Sequence, residues 1–131
     1  MEGVSPEAAS YARLQKLDNL IGIKDLNKIC LDSGTEGAFT ENVRERKDAS
    51  GWHIAFVEDG TDVDAINVSV EEAKETGIPS LIEEKAAIGC GSLNNRGTNA
   101  TPGAPLGAEE ARATRENLAW GYPPFGVPEE V

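Results

Sequence analysis

Pro79–Gly107 reads PSLIEEKAAIGCGSLNNRGTNATPGAPLG. It opens as an apolar run of strand length, interrupted by Glu83, Glu84 and Lys85. From Ile88 to Gly107 it then holds five glycines, two prolines and three asparagines. A loop this long inside a compact domain is uncommon and is usually functional or disordered. Closely spaced glycines permit positive φ and let backbone approach a ligand. A strand runs in, and a helical pattern from Ala108 to about Leu118 runs out, with acids early and arginines late. That context predicts an ordered, ligand-lining loop after a strand of an α/β sheet, not a linker.

Outward from the loop, helical and strand patterns alternate. Ser5, Pro6 and Glu7 supply a capping hydroxyl, a proline at the first helical position and an acid in the first turn. They predict a helix to about Lys16 with Tyr11, Leu14 and Leu17 as its inward stripe. Asn19–Ile23, NLIGI, has strand length and is followed by the polar DLNK. Phe39–Ala49 predicts a charged helix with Phe39 and Val43 inward at i and i+4. Trp52–Val57, WHIAFV, is a second strand, ended by Glu58-Asp59-Gly60. Thr61–Asp64 approximates a capping box opening a helix with Ile66, Val70 and Ala73 on one face, stopped by Gly77 and Pro79. Residues 80–88 form the third strand, and the tail YPPFGVPEEV is extended. The order indicates an α/β fold, a partial parallel sheet with flanking helices. Three strands leave two open edges and under-covered faces, so residues 1–131 read as part of a larger domain.

The chain has 23 acidic against 12 basic residues, a formal charge of -11. Nucleic acid and anionic membranes need a basic footprint, so neither is expected as a partner. An anionic cofactor would be held through backbone amides, a metal or basic groups of another chain. Cys30 and Cys90 fit no zinc spacing and read as buried reduced thiols. No signal peptide or apolar membrane-spanning run is present, so a cytoplasmic location is expected, and the sequons at Asn67 and Asn99 are discounted.

Asp25-Leu26-Asn27-Lys28-Ile29 follows the first strand, on the side where open α/β sheets bind ligands. An asparagine oxygen and a nearby backbone carbonyl are hard ligands suited to magnesium or calcium beside a phosphate. An Asx turn at a strand end is the structural alternative. Elsewhere the bland readings prevail. His53, in the second strand, is structural. Glu83 and Glu84 point to opposite faces and read as solvated or strand-end charges. Arg44, Arg46 and Lys47 are interleaved with Glu45 and Asp48, as on a solvated helix face, not a phosphate clamp. No G-x-G-x-x-G opens a helix after the first strand, which sets aside a dinucleotide site.

Seven segments, MEGVSPEAAS, LDNLIGIKDLNKICLD, AFTENVRERKDASGWH, VEDGTDVDAIN, PSLIEEKAAIGCGS, GTNATPGAPLGAEE and LAWGYPPFGVPEEV, occur in the order in which transketolases carry their counterparts. The chain resembles the second half of the N-terminal, thiamine-diphosphate-binding region of that family over essentially its whole length. The resemblance implies a Rossmann-like cofactor domain and two-carbon ketol transfer between sugar phosphates, using thiamine diphosphate held by magnesium. It also implies an oligomer, with the remaining transketolase domains or a second chain as partners. The family's metal is held by a GDG aspartate, an asparagine side chain matched by Asn27, a backbone carbonyl matched by Ile29, and the cofactor's diphosphate. Leu31 and Ile88 match apolar positions near the cofactor ring. Glu2 matches a glutamate in a polar network near the dimer interface.

The departures point the other way. The GDG aspartate belongs a few residues before the MEG segment, and the chain begins after it. Pro102 stands where the family reads the histidine of HGAPLG, and proline has no group for acid–base work. No catalytic residue is therefore assigned. Asn99 replaces a second histidine found in many members. Arg13-Leu14-Gln15 replaces a Gly-His-Leu-type segment, and Lys24 and Leu26 are unusual beside the metal asparagine. Two readings follow: an enzyme piece whose site other chains complete, or a catalytically silent fragment or interaction module.

Overall fold

The computed structural model describes residues 5–130, and Glu2 lies outside them. The chain forms two compact units, Met1–Asn27 with Phe39–Ala86, and Lys28–Ala38 with Ala87–Val131.

The first unit carries helices α1 (Ser5–Leu14), α2 (Val43–Ala49) and α3 (Val63–Lys74) and strands β1 (Ile21–Asp25), β2 (His53–Val57) and β3 (Ser80–Glu84). The strands form one parallel sheet in the order β1-β3-β2. Ser80 pairs with Ile21 on one side and His53 on the other, and Glu84 with Asp25 and Val57. This is the parallel α/β arrangement expected from the alternation. Because side chains alternate, the register places Leu81 and Ile54 on one face and Ile82, Ile21 and Ala55 on the other. The first face packs with Ala9, Ala12, Val43 and Trp52 of α1, α2 and the β2 approach. The second packs with Ala65, Ile66, Val70 and Ala73 of α3, the face expected for that helix. Ile82, fully buried at the centre, contributes roughly 1.5–3 kcal/mol by leaving water.

Several expectations need correction. The inward side of α1 is Ala9 and Ala12, while Tyr11, Leu14 and Leu17 are exposed. Small side chains let the helix approach closely enough for Trp52 Nε1 to donate to the Ala9 carbonyl at 2.9 Å. Helix α2 begins at Val43, because the Asn42 side chain accepts from Glu45 N and caps it there. Phe39 precedes the helix yet packs on the same cluster as Val43. Asp62, not Thr61, caps α3 by accepting from Ala65 N, while the Thr61 hydroxyl donates to Asp59. β1 lies two residues later than NLIGI, and β3 ends at Glu84.

Charged residues depart further. Glu83 is buried, and its carboxylate accepts from Lys24 Nζ at 2.5 Å and Arg44 Nε at 2.9 Å. The Arg44 guanidinium also lies 4.3 Å over the Phe56 ring. Lys47 is buried beside Trp52. The expected solvated basic face is thus partly a packed one. The register explains it: Lys24, Glu83 and Phe56 are neighbours across the three strands on the face that α2 covers.

The second unit holds a short bridge between Ile29 and Gly34, a 3₁₀ turn at Thr35–Gly37, and helices α4 (Ala100–Gly103) and α5 (Ala108–Asn117). Among the described residues no helix is long and apolar enough to cross a membrane.

Candidate functional site

In the first unit, the carboxyl ends of the strands gather polar groups. Asn27 follows β1 and is half-buried, and its Nδ2 donates to Asp25 Oδ2 at 3.1 Å. That bond orients the amide, putting its oxygen at the opposite end. Asp25 pairs in register with Glu84 of β3. Burial, and secondarily the charge of Asp25, raises the Glu84 carboxyl above its ordinary range. Across the sheet, Lys85 Nζ pairs with Glu58 at 2.7 Å, which raises the lysine. His53 Nδ1 lies 3.2 Å from Ser80 Oγ, in keeping with a structural part.

In the second unit, Lys28 O accepts from Thr35 N and Cys30 N donates to Ser33 O. In an antiparallel bridge of this kind the intervening residue's own N–H and C=O point away from the partner segment. The Ile29 carbonyl is therefore directed away from Gly34. Cys30 is half-buried, with Sγ donating to Ser33 O at 3.1 Å, and Cys90 is exposed, so the thiols are free but not the buried pair expected.

The Gly-rich loop is ordered by specific bonds. Gly97 N donates to Ile88 O at 2.8 Å, and Thr101 Oγ1 to Asn95 O at 2.8 Å. Glu110, in the first turn of α5, accepts from Ser92 Oγ, from Asn94 N at 2.9 Å and from Asn94 Nδ2 at 2.6 Å. The Ser92 hydroxyl foremost, with Asn94, holds the Glu110 carboxyl down at about 2. At the other end of α5, Asn117 Nδ2 donates to Gly91 O at 2.9 Å. Gly91 has φ +89°, and a Cβ there would lie 2.6 Å from Leu118 Cγ, so both conformation and packing demand glycine. No local motif signals the Glu110 clamp, since its partners lie 16 to 18 residues earlier.

The same unit brings the Ile29–Leu31 segment to α4. Asn99 Nδ2 donates to Asp32 O at 2.9 Å, and Leu31, itself exposed, lies against Gly103. Pro102 is exposed in the first turn of α4, where a missing N–H costs nothing. Ile88 is half-buried at the loop's entry.

The donors are chemically coherent. Asn27 in the first unit offers an amide oxygen and Ile29 in the second a peptide carbonyl, each a hard, neutral oxygen of the kind magnesium takes. Among the described residues, no three His, Cys, Asp or Glu side chains gather in a metal-holding group.

The family model for the transketolase thiamine diphosphate binding domain matches residues 1–131. The chain belongs to the transketolase family. A probable transketolase of Streptococcus pneumoniae is 59% identical over 131 residues, covering all of this chain and 20% of that protein. A Pichia stipitis transketolase solved in complex with sedoheptulose-7-phosphate superposes with a TM-score of 0.89 at 45% identity, covering 99% of this chain and 20% of its own. A Campylobacter jejuni transketolase superposes with a TM-score of 0.90 at 37% identity, covering 98% and 20%. The chain thus spans about a fifth of these transketolases.

Proposed function

We propose that this chain is one piece of a transketolase cofactor-binding region, a partial domain over residues 1–131, that contributes ligands and walls but no acid–base residue. The observation that carries the reading is Asn27, seated just past the carboxyl end of β1 with its amide nitrogen tied to Asp25. By their match to the family's motifs, the Asn27 oxygen and the Ile29 carbonyl would hold magnesium in the assembled enzyme, and Leu31 and Ile88 would face the cofactor ring. Glu2 joins the network between paired sites. Thiamine diphosphate supplies the carbanion chemistry of ketol transfer between sugar phosphates; these residues supply position and electrostatics.

Two neutral oxygens bind a divalent cation weakly, since hard-cation affinity follows ligand charge. A carboxylate must come from the rest of the assembly, either other transketolase domains or a second chain. Pro102 leaves the Gly-rich loop without a proton donor or acceptor at the histidine position. The chain alone is therefore silent, in keeping with an intracellular enzyme piece or a retained interaction module. Calorimetric titration of the purified chain with thiamine diphosphate and magnesium is expected to show no measurable binding, and a coupled assay no turnover. Micromolar cofactor binding by the chain alone would refute this reading.

A further inference from the structure

Asp25 is the last residue of β1, and among the described residues no cation pairs with it. Lys24 beside it is committed to Glu83, and Lys85 to Glu58. Its neighbour across the ladder is Glu84, of the same charge. The Glu84 carboxylate lies against Gly60, and its Oε2 is buried without a hydrogen-bond partner, so it gives Asp25 no relief. Like charges side by side repel. The sheet keeps an unneutralised acid at this end of β1, beside Asn27.

What Asp25 does hold is the Asn27 amide. Leu26 N donates to Glu84 O, so the ladder with β3 runs on past Asp25. Residues two apart on an extended chain share a face. Across that spacing Asn27 Nδ2 donates to Asp25 Oδ2 at 3.1 Å. The two ends of a side-chain amide are nearly the same shape, and its partners decide which way it turns. An ionised carboxylate accepts and cannot donate, so Asp25 takes the nitrogen end alone. An amide turned the other way would present its nitrogen, and hard cations are held by oxygen. A neutral partner able both to donate and to accept would leave the two orientations closer in energy.

We propose that Asp25 is a positioning residue for Asn27, selecting the amide orientation that presents oxygen to the magnesium ion while touching neither metal nor cofactor itself. The proposal rests on the reading of Asn27 as a metal ligand. It gives the unneutralised acid at the end of β1 a use. Outer partners of this kind tune metal affinity by roughly 10–100-fold.

Two measurements test it. In the full chain without metal, NMR follows the side-chain amide protons of Asn27. Asp25→Ala is expected to abolish their protection from exchange with water. Asp25→Asn, whose side-chain oxygen still accepts, is expected to keep most of it. The second measurement places the full chain in the Streptococcus pneumoniae relative in exchange for its matched stretch. Calorimetry then reads the magnesium concentration at which thiamine diphosphate uptake is half complete. Asp25→Ala is expected to raise that concentration roughly 10–100-fold and Asp25→Asn by less than about tenfold, with far-UV circular dichroism unchanged. Amide protons indifferent to Asp25→Ala, or an unchanged magnesium requirement, would overturn the proposal. So would equal losses in the two variants, which would make charge and not orientation responsible. Those results leave the cofactor reading standing. An unsubstituted chimaera that takes up no thiamine diphosphate at any magnesium concentration overturns that reading, and the proposal with it.

Discussion

Gly91→Ala tests whether the Gly-rich loop is held as one ordered body. At φ +89° an alanine pays the left-handed penalty of about 1–2 kcal/mol. Its Cβ would also sit 2.6, 2.7 and 2.8 Å from the Cγ, Cδ1 and Cδ2 atoms of Leu118, so that side chain must swing away. Leu118 is 55% exposed, so the swing costs little beyond its lost contact, on the order of 1 kcal/mol. Any backbone shift also strains the Asn117–Gly91 hydrogen bond, worth ~1 kcal/mol. The sum is about 2–4 kcal/mol. Urea unfolding followed by far-UV circular dichroism measures it, and a double-mutant cycle with Leu118→Ala separates the parts. The single Leu118→Ala change should cost under about 1 kcal/mol, and in its background Gly91→Ala should recover about 1 kcal/mol. A Gly91→Ala loss below about 0.5 kcal/mol, or one unchanged by removing Leu118, refutes the reasoning.

Glu110 makes the loop sensitive to acid. Its folded carboxyl titrates at about 2 against an ordinary 4.5, so its contribution is complete above about 4.5 and is lost as pH falls toward 2. Amide exchange protection over residues 92–97 should drop across that window, and Glu110→Gln should lower protection at pH 7 and flatten the profile. Glu83→Gln leaves Lys24 and Arg44 facing a neutral amide on the covered face of the sheet. Because Arg44 is partly exposed, a loss of about 2–3 kcal/mol in unfolding free energy is expected, less than for a fully buried triad. Pro102→His should give no turnover in the chain alone. In an assembly with the remaining transketolase domains it should raise ketol transfer by roughly 10²–10⁴-fold over the proline form, read in a coupled assay, and an unchanged rate would remove Pro102 as the cause of silence.

The helices and strands were legible because their signals are local. Ser5-Pro6-Glu7, the apolar runs at 19–23 and 52–57, and the Ile66–Val70–Ala73 face each announce an element within one turn or a few residues. The α1 stripe misled because hydrophobicity alone ranks Tyr11 and Leu14 above Ala9 and Ala12. What decided the face was the room needed by Trp52, some forty residues away. Glu83 and Lys47 misled for the same reason. Charge pattern within a helix or strand says nothing of what the neighbouring strand brings across, and Lys24 meets Glu83 only through the register of β1 with β3. The candidate metal ligands were found through family motifs rather than spacing. The Glu110 clamp had no sequence signal, since it joins a loop to a helix with nothing periodic between them.

The strand order β1-β3-β2 has a consequence for how the chain is born. Neither of the first two strands neighbours the other in the finished sheet. When Val57 leaves the peptidyl-transferase centre, both edges they will use are still waiting for Ser80–Glu84. At about 5–20 residues per second, the 27 residues from Val57 to Glu84 take roughly 1.5–5 s to add. Throughout that interval β1 and β2 each lack the central strand β3 that they pair with. Nascent β1 and β2 could then pair wrongly with each other or be held by a chaperone. The last of these three strands to be made is the one that joins the other two, so a ribosome-stalled chain ending before Ser80 should be protease-sensitive at β1 and β2, and one extending well past Glu84 should be less so.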